Sequence, residues 1–439
     1  MMKRPLTVLL GIFAICLSGP ITMAPPFGTA ALADDDDGGG GFRGFGGAGR
    51  VLRAAPRVLR GLTGMSRPSY SRKRRAKKPQ AIAPGTDEIV VVGLATRDVD
   101  RLVSLGFTAL GQRPNSTFGS TLTRLRVPTG KTMARAIETV AMEVPGASVA
   151  QNDRYGPLSR VVYHPSGESC GARCEAFELT AWTTAAARCT ARSRIGIVDT
   201  AADLSHPSID RARIVSKVFR SPDRAPSDTL HGTAVLSLLV GEPDSAVIGV
   251  AHGAEILHAD AFHGVGEDSR TDVFDLLSAI DWLISSDVQV LNLSFSGPNN
   301  PLLHRAILAA QNKKIHVIAA AGRPDRAKIS GYPARYDGVI AVAAVDGRLR
   351  PSRLSMRGGH VAFAAPGVGL TVAHGKDGLR NVDGTSFAAP FVAAAYAMSS
   401  GEGADVTRSL ADGAQDLGAS GRDPTYGWGL LQYSAVPGC

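Results

Sequence analysis

The spacing of apolar residues changes near Ser193, where short apolar runs begin to alternate with amphipathic or small-residue runs. The short runs predict strands, namely RIGIVDT, AEILHADAF, VQVLNLSF, IHVIAAAG and GVIAVAAV. The runs between them predict helices, among them TDVFDLLSAIDWLISS, PLLHRAILAAQNKK and TSFAAPFVAAAYAMS. Such alternation indicates an α/β fold with a parallel sheet and helices on both faces. Functional side chains are then expected at the carboxyl ends of the strands.

Residues 86–153 carry a separate pattern that predicts a small α+β unit. EIVVVG, STLTRLRVP and ASVAQND are predicted as strands, and TRDVDRLVSLG and KTMARAIETVAME as helices. Two helices interleaved with strands over this length favour a ferredoxin-like, split βαβ unit. None of its titratable groups forms a pair that suggests catalysis, so we interpret it as a packing or binding module. A bridge, residues 154–190, joins it to a larger domain, residues 191–439.

The N-terminus, MMKRPLTVLLGIFAICLSG, combines a positive start with an apolar run of about a dozen residues. Small residues follow up to Ala33, which predicts that residues 1–33 are a signal peptide cleaved before Asp34. The run is short for a transmembrane helix, and an uncleaved membrane anchor is the alternative. No later stretch reaches about eighteen apolar residues. The chain is therefore expected to be secreted or periplasmic.

The net charge of +9 comes from the N-terminal tail. Residues 1–79 hold fourteen Lys and Arg against four Asp, so the rest of the chain is close to neutral. Residues 34–85, which include DDDDGGGG and SRKRRAKK, have the composition of a disordered Gly-rich and basic linker. A solvated spacer is the favoured interpretation, and contact with an anionic surface is the alternative. Nucleic-acid binding by the basic block is a further alternative, less favoured than the solvated spacer.

Export permits disulfides, and the cysteines that remain after signal cleavage are Cys170, Cys174, Cys189 and Cys439. Four cysteines allow three pairings, which the sequence does not rank. Their spacing differs from that of a paired-knuckle zinc site, so no metal ligand is predicted among them.

Three segments carry candidate chemistry, although each has a simpler structural interpretation. Asp199 ends the strand IGIVD, where an Asp can also merely cap a turn. His231 opens HGTAVLSLLVG, and a helix N-terminus favours the neutral imidazole that a general base needs. Ser386 lies in DGTSFAAP at the start of an alanine-rich helix, where it could be only an N-cap. Pro390 is expected in the first turn of that helix.

These segments occur together in the order and approximate spacing of a known family. DTAADLSHP, HGTAVLSLLVG, VLNLSFSGP, AAAG and GTSFAAP resemble the signatures of subtilisin-like serine proteases (subtilases), over roughly residues 191–433. The resemblance implies a subtilisin-like fold and a monomeric enzyme with Ser386 as nucleophile, His231 as general base and Asp199 orienting the imidazole. It also implies that residues 86–153 are an inhibitory propeptide domain.

The resemblance also implies a substrate cleft. Its edge for pairing with substrate backbone would be Ser294, Phe295, Ser296 and Gly297, and the opposite wall of the primary specificity pocket would be Ala320, Ala321 and Gly322. Both stretches suit the addition of an extended peptide as a further strand. No cofactor is predicted, because no acidic loop has the ligand spacing of the calcium sites common in this family.

The sequence departs from the family at Arg323. The family has Asn directly after AAAG, and its amide donates to the oxyanion of the tetrahedral intermediate. An Arg could also donate, with the Ser386 backbone N–H as the second donor. However, Arg is several bonds longer than Asn, and Pro324 restricts its backbone to extended conformations. The alternative is that Arg323 points into solvent or pairs with Asp325.

The expected function is a secreted serine endopeptidase that acts on polypeptides through an acyl-enzyme, is made as a zymogen and is cut between residues 153 and 160. Slow turnover is expected if Arg323 donates poorly. One alternative is a catalytically impaired subtilase-like protein that binds peptides or partners without efficient turnover. Another is an adhesive protein anchored by its basic tail.

Overall fold

The structure is a computed structural model that describes residues 86–161, 171–324, 331–399 and 405–437. The predicted signal peptide and linker, together with Cys170 and Cys439, lie outside the described residues. Within the described ranges, no helix is both long and apolar enough to cross a membrane.

The N-terminal described unit is a four-stranded antiparallel sheet with two helices. Its elements are β1 (Glu88–Val92), α1 (Thr96–Ser104), β2 (Thr108–Asn115), β3 (Ser120–Arg126), α2 (Met133–Glu143) and β4 (Ser148–Gln151). The strand order β2-β3-β1-β4 is that of a split βαβ unit, as the pattern predicts. Leu102 and Val140 form its core together with Ile89 and Val91 of β1, whereas Val90 and Val92 face the other side and pack in the core of the larger domain.

The main sheet has seven parallel strands in the order β15-β14-β13-β11-β7-β9-β8. Their bounds are β7 (Arg194–Asp199), β8 (Ile214–Val218), β9 (Glu255–Asp260), β11 (Val290–Leu293), β13 (His316–Ala320), β14 (Ile340–Val345) and β15 (Val361–Pro366). The five strands predicted from apolar runs are confirmed. Continuous burial of β7, β11 and β14 explains why their sequences are apolar without alternation.

Helices cover both faces of this sheet. Their bounds are α3 (Gly171–Leu179), α4 (Thr184–Arg188), α5 (Leu230–Val240), α6 (Val273–Ser285), α7 (Pro301–Asn312), α8 (Thr385–Met398) and α9 (Val406–Asp412). Helices α5 and α8 pack in the core on one face, and α6 and α7 in the core on the other. Every residue of α8 is buried, which fits a helix that is apolar all round.

Two small sheets lie at the edge of the main body. One has the order β10-β5-β12, with β5 (Arg154–Pro157), β10 (Thr271–Asp272) and β12 (Phe295–Ser296). The other has the order β16-β17-β6, with β6 (Ser159–Val161), β16 (Leu370–His374) and β17 (Gly378–Gly384). Strands β5 and β6 are therefore consecutive in the chain but pair with different parts of the larger domain.

Candidate active site

Asp199 is the last residue of the buried strand β7, which places its carboxylate in the site. Its Oδ1 accepts a hydrogen bond from the backbone N–H of Thr200 at 2.7 Å. The same oxygen lies 2.6 Å from Nδ1 of His231. Because a carboxylate can only accept, Nδ1 must be the protonated nitrogen, and this leaves Nε2 with a free lone pair.

His231 is the second residue of α5, and a glycine allows this helix to start close to the end of β7. A Cβ on Gly232 would lie 2.5 Å from the carbonyl oxygen of Thr200, so any side chain there would push the two elements apart. The imidazole also packs against the ring of Phe387 at 5.4 Å between centroids. His231 Nε2 has no hydrogen-bond partner among the described residues.

Two buried groups that the sequence analysis did not single out stand beside Asp199 on β9. His258 contacts the carbonyl oxygen of Thr200 through Nε2 at 2.9 Å, and burial lowers its pKa. Asp260 pairs with Asp199 in the strand register. Burial raises the pKa of Asp260 to about 6, an effect that Arg220 opposes and the Asp199 carboxylate reinforces. Burial thus shifts both pKa values towards the neutral form, and the Asp199 charge opposes this shift for His258.

Ser386 is the second residue of α8, and its hydroxyl is fully buried. Oγ donates to the carbonyl oxygen of Ser294 at 2.8 Å and accepts from the backbone N–H of Leu158 at 3.0 Å. In return, Ser294 Oγ donates to the carbonyl oxygen of Ser386 at 3.0 Å. The two serines are thus joined by reciprocal hydrogen bonds.

Pro390 explains why the Ser386 carbonyl oxygen accepts its hydrogen bond from the Ser294 side chain and not from the helix backbone. The expectation that Pro390 lies in the first turn is wrong, because α8 begins at Thr385 and the proline falls in its second turn. Proline has no N–H, so it cannot donate to the carbonyl of the residue four positions earlier, which is Ser386. The Ser294 hydroxyl supplies the missing donor.

The chain's own residues 154–161 run through the site as an extended peptide. Strand β5 pairs antiparallel with β12, with Pro157 opposite Phe295, and also with β10. Strand β6 pairs antiparallel with β17, with Ser159 opposite Gly384. Leu158 lies between the two pairings and is fully buried. Neither an apolar run nor a helical period marks this segment, so the sequence predicts it only as part of a bridge.

The residues proposed as the substrate-binding edge, Ser294, Phe295, Ser296 and Gly297, lie against this segment. The buried ring of Tyr155 packs edge-to-face on Phe295 at 5.9 Å, and its hydroxyl donates to the carbonyl oxygen of Pro298 at 2.7 Å. A Cβ on Gly297 would lie 2.2 Å from the Tyr155 ring. A pocket for an aromatic side chain therefore exists only because position 297 is a glycine.

The other predicted wall begins at the carboxyl end of β13. Ala320 is its last residue, and Ala321 and Gly322 follow it, all buried. Ala321 is held by a bond from its N–H to the Val342 carbonyl oxygen at 2.9 Å. Gly322 has a φ of +108°, a backbone conformation that favours glycine, and it turns the chain before Arg323.

Arg323 is 5% exposed, so its side chain is directed into the protein. Its Nη1 lies 3.5 Å from the carbonyl oxygen of Ser159. The structure therefore places the guanidinium beside the residue that follows Leu158.

Calcium is common in proteins of the resembled family, and acidic side chains are frequent ligands for it. Across the described ranges, no three His, Cys, Asp or Glu side chains come together as a possible ligand set.

A model of the subtilase family matches residues 191–429, which is more than half of the chain. The chain belongs to the subtilase family. The match includes Asp199, His231 and Ser386. In this subtilase, Asp199 lies at the carboxyl end of β7, hydrogen-bonded to His231, and Ser386 is bonded to Ser294 directly after β11. Subtilases are serine proteases, so the family supports the interpretation of these residues as a catalytic set.

Individual relatives agree with this assignment. Subtilisin DY of Bacillus licheniformis is 30% identical over 257 residues, which are 56% of this chain and 91% of that protein. The minor extracellular protease Epr of Bacillus subtilis is 29% identical over 215 residues, 47% of this chain and 33% of Epr. The subtilase thus spans only a third of the length of this second relative.

A solved structure extends the likeness of fold beyond the matched domain. Fervidolysin from Fervidobacterium pennivorans, described as a keratinolytic enzyme related to subtilisin, superposes with a TM-score of 0.67 and 21% identity. The alignment covers 81% of this chain and 61% of the fervidolysin chain. At this identity the likeness concerns the fold alone.

Proposed function

We propose that the chain is a secreted serine endopeptidase, made as a zymogen, that hydrolyses peptide bonds through an acyl-enzyme. The observation that carries this proposal is the course of residues 154–161 along β12, over Ser386 and along β17. A peptide added as a strand presents one of its bonds to a nucleophile at the strand end. Polypeptides are therefore the proposed substrates.

The proposed reaction uses three side chains in defined roles. Ser386 Oγ attacks the substrate carbonyl carbon while His231 Nε2 takes the hydroxyl proton. The Asp199 carboxylate holds Nδ1–H and stabilises the imidazolium, which then protonates the leaving amine. Water attacks the acyl-enzyme with His231 again as base, which releases the acid product and restores the serine hydroxyl.

We propose that the oxyanion hole of this site has one hydrogen-bond donor fewer than the family pattern and that this limits kcat. The Ser386 backbone N–H, at the N-terminus of α8, is the donor retained from the family pattern. Arg323, the other predicted donor, approaches the Ser159 carbonyl rather than that of Leu158. Loss of one donor from a subtilisin lowers kcat by about 10²–10³. We therefore expect slow turnover, and Arg323→Asn should raise kcat.

The peptide bond Leu158–Ser159 is the proposed site of self-cleavage. Residues up to Pro157 follow β12, and residues from Ser159 follow β17, so Leu158 alone faces Ser386. A Cβ on Gly384 would lie 2.6 Å from the Leu158 carbonyl oxygen, so this carbonyl lies against the turn before α8. The assignment agrees with the predicted cut between residues 153 and 160.

Contacts of residues 86–153 with the larger domain support the zymogen proposal. The Val273 N–H, at the start of α6, donates to the Asp153 carbonyl oxygen at 3.1 Å. The Asn300 side chain, which caps α7, donates to Asp153 Oδ2 at 2.9 Å. Arg113 forms an ion pair of 3.0 Å with the buried Asp275. A unit bound in this way holds residues 154–161 in the cleft.

Secretion is supported by three observations of different kinds. The N-terminal pattern is that of a signal peptide, and one relative is named an extracellular protease. Cys189 is disulfide-bonded, which is usual for exported proteins and rare in the cytosol.

Expression of the full chain and of Ser386→Ala tests the function. The wild type should shorten and gain Ser159 as its new N-terminus, whereas Ser386→Ala should stay full length. Ser409→Ala, which changes a serine in α9, is the matched control and should behave as the wild type. A fluorophosphonate probe should label the wild type and the control only. If the wild type stays full length and unlabelled, the impaired, peptide-binding alternative replaces this proposal.

A further inference from the structure

We infer that Arg323 positions the leaving half of the substrate by binding the carbonyl of the residue after the cut. This inference rests on the proposed endopeptidase function and assigns Arg323 a role distinct from that of the asparagine it replaces. Its consequence is a preference for substrates that continue as peptide beyond the scissile bond.

The backbone before Arg323 fixes the direction of the side chain. Gly322 turns with a φ of +108°, and its carbonyl oxygen accepts from the Met356 N–H at 3.0 Å. Pro324, directly after Arg323, is exposed, whereas Arg323 itself is 5% exposed. A guanidinium is costly to bury unless its donors meet acceptors, and one acceptor near Arg323 Nη1 is the Ser159 carbonyl oxygen in the cleft.

The acceptor it approaches belongs to the leaving half. Ser159 follows Leu158, pairs with Gly384 on β17, and presents its carbonyl oxygen 3.5 Å from Arg323 Nη1. Successive residues of an extended chain are about 3.3 Å apart. An Arg side chain is several bonds longer than Asn, so it can pass the scissile carbonyl and reach the next one. The same length that makes Arg a poor oxyanion donor in place of Asn allows it to reach the Ser159 carbonyl.

The chemistry of the interaction makes it selective for the leaving group. A charged donor on a carbonyl forms a stronger hydrogen bond than a neutral one. A peptide substrate has a carbonyl in the residue after the cut, whereas an anilide leaving group has none. Arg323 should therefore contribute to the cleavage of peptides and not to that of short anilides.

The test compares two substrates that share the same acyl half. One is an internally quenched peptide containing Tyr-Gly-Pro-Leu-Ser-Arg-Val, and the other is the p-nitroanilide of Tyr-Gly-Pro-Leu. For Arg323→Ala we expect kcat/KM to fall about 10-fold on the peptide, as for loss of one hydrogen bond to a charged group. On the anilide, kcat/KM should stay within about twofold of the wild type. Arg323→Lys, which keeps the charge, should recover part of the loss.

Controls separate this inference from the proposed function. Arg353→Ala, which changes an exposed arginine, should leave both kcat/KM values unchanged. An equal fall on both substrates would mean that Arg323 acts on the scissile carbonyl, and no fall on either would mean that it contacts no substrate. Either result overturns the inference while the protease function stands. If the wild type cleaves neither substrate and takes no fluorophosphonate, the proposed function fails, and the inference fails with it.

Discussion

The backbone N–H of Leu158 donates to Oγ of Ser386 across 3.0 Å. The hydroxyl proton is directed to the Ser294 carbonyl oxygen, while His231 Nε2 is without a hydrogen-bond partner in the described part of the chain. The base is therefore oriented by Asp199, but the nucleophile is not bonded to it. Attack requires the hydroxyl to turn from Ser294 towards His231, so the uncut chain is held in a resting arrangement.

The uncut chain should react more slowly with a fluorophosphonate than the processed chain does. In the uncut chain, residues 154–161 cover Ser386, and the hydroxyl is engaged with Leu158 and Ser294. Labelling at early times during self-processing, with the two forms separated by size, measures this difference. Equal labelling rates of the two forms would contradict the resting arrangement.

Gly297→Ala should impair self-processing by displacing Tyr155. The added Cβ would lie 2.2 Å from the Tyr155 ring, and such overpacking costs about 1–3 kcal/mol. The rate of chain shortening measures the effect. Gly359→Ala is the matched control, because no atom lies within 4 Å of a Cβ there. Adding Tyr155→Ala to Gly297→Ala should restore part of the rate, and an unchanged rate would show that the clash is relieved elsewhere.

The five main-sheet strands predicted from the sequence are buried along most of their length. Burial alone was not sufficient, because β15 is buried at all but one residue and was not predicted. Edge strand β8 was missed because most of its side chains are exposed, and β2 because its residues are largely polar and half-exposed. Neither strand produces a strong apolar run, since each packs only one face or pairs at the edge of its sheet.

The candidate triad could be predicted because its three segments occur in the order and approximate spacing of the subtilase signatures, whereas each local signal alone also allowed a structural interpretation. Asp199 ends an apolar strand, and His231 and Ser386 are each the second residue of a helix, with a glycine directly after the histidine and another two residues before the serine. The occupied cleft could not be predicted in the same way. Tyr155 finds its hydrogen-bond acceptor 143 residues away, and such distant pairing leaves no period in the sequence.

Asp272→Asn should stabilise the protein more at about pH 8 than at about pH 5. Burial, reinforced by the Asp275 carboxylate and opposed by Arg224 and Arg124, raises the pKa of Asp272 to about 7. The unfolded chain releases this proton near pH 3.9, so the carboxyl weakens folding as the pH rises from about 4 to about 7. Asn keeps the oxygen that caps α6 and removes the charge.

The Tm of Asp272→Asn relative to its parent measures this effect, in the Ser386→Ala background to prevent autolysis. Asp337→Asn, which changes an exposed aspartate, is the control. A Tm difference that does not change with pH would mean that the Asp272 carboxyl stays charged throughout.

Ser294→Ala should lower the free energy of unfolding, and Pro390→Ala should offset part of the loss. Without the Ser294 hydroxyl, the buried Ser386 carbonyl has lost a donor, which costs about 1–3 kcal/mol. An alanine at position 390 restores an N–H four residues after Ser386, where an α-helix places its donor. Asn292 Nδ2 also donates to Ser294 Oγ at 2.9 Å, so the recovery should be partial.

The coupling free energy between positions 294 and 390 follows from denaturant unfolding of the two single variants and the double variant. All are made in the Ser386→Ala background. Ser278→Ala is the matched control, because that buried hydroxyl donates to the Phe274 carbonyl within a regular stretch of α6. Pro390→Ala should not offset the effect of Ser278→Ala. Strict additivity of Ser294→Ala and Pro390→Ala would show that the serine hydroxyl does not stand in for the proline's missing donor.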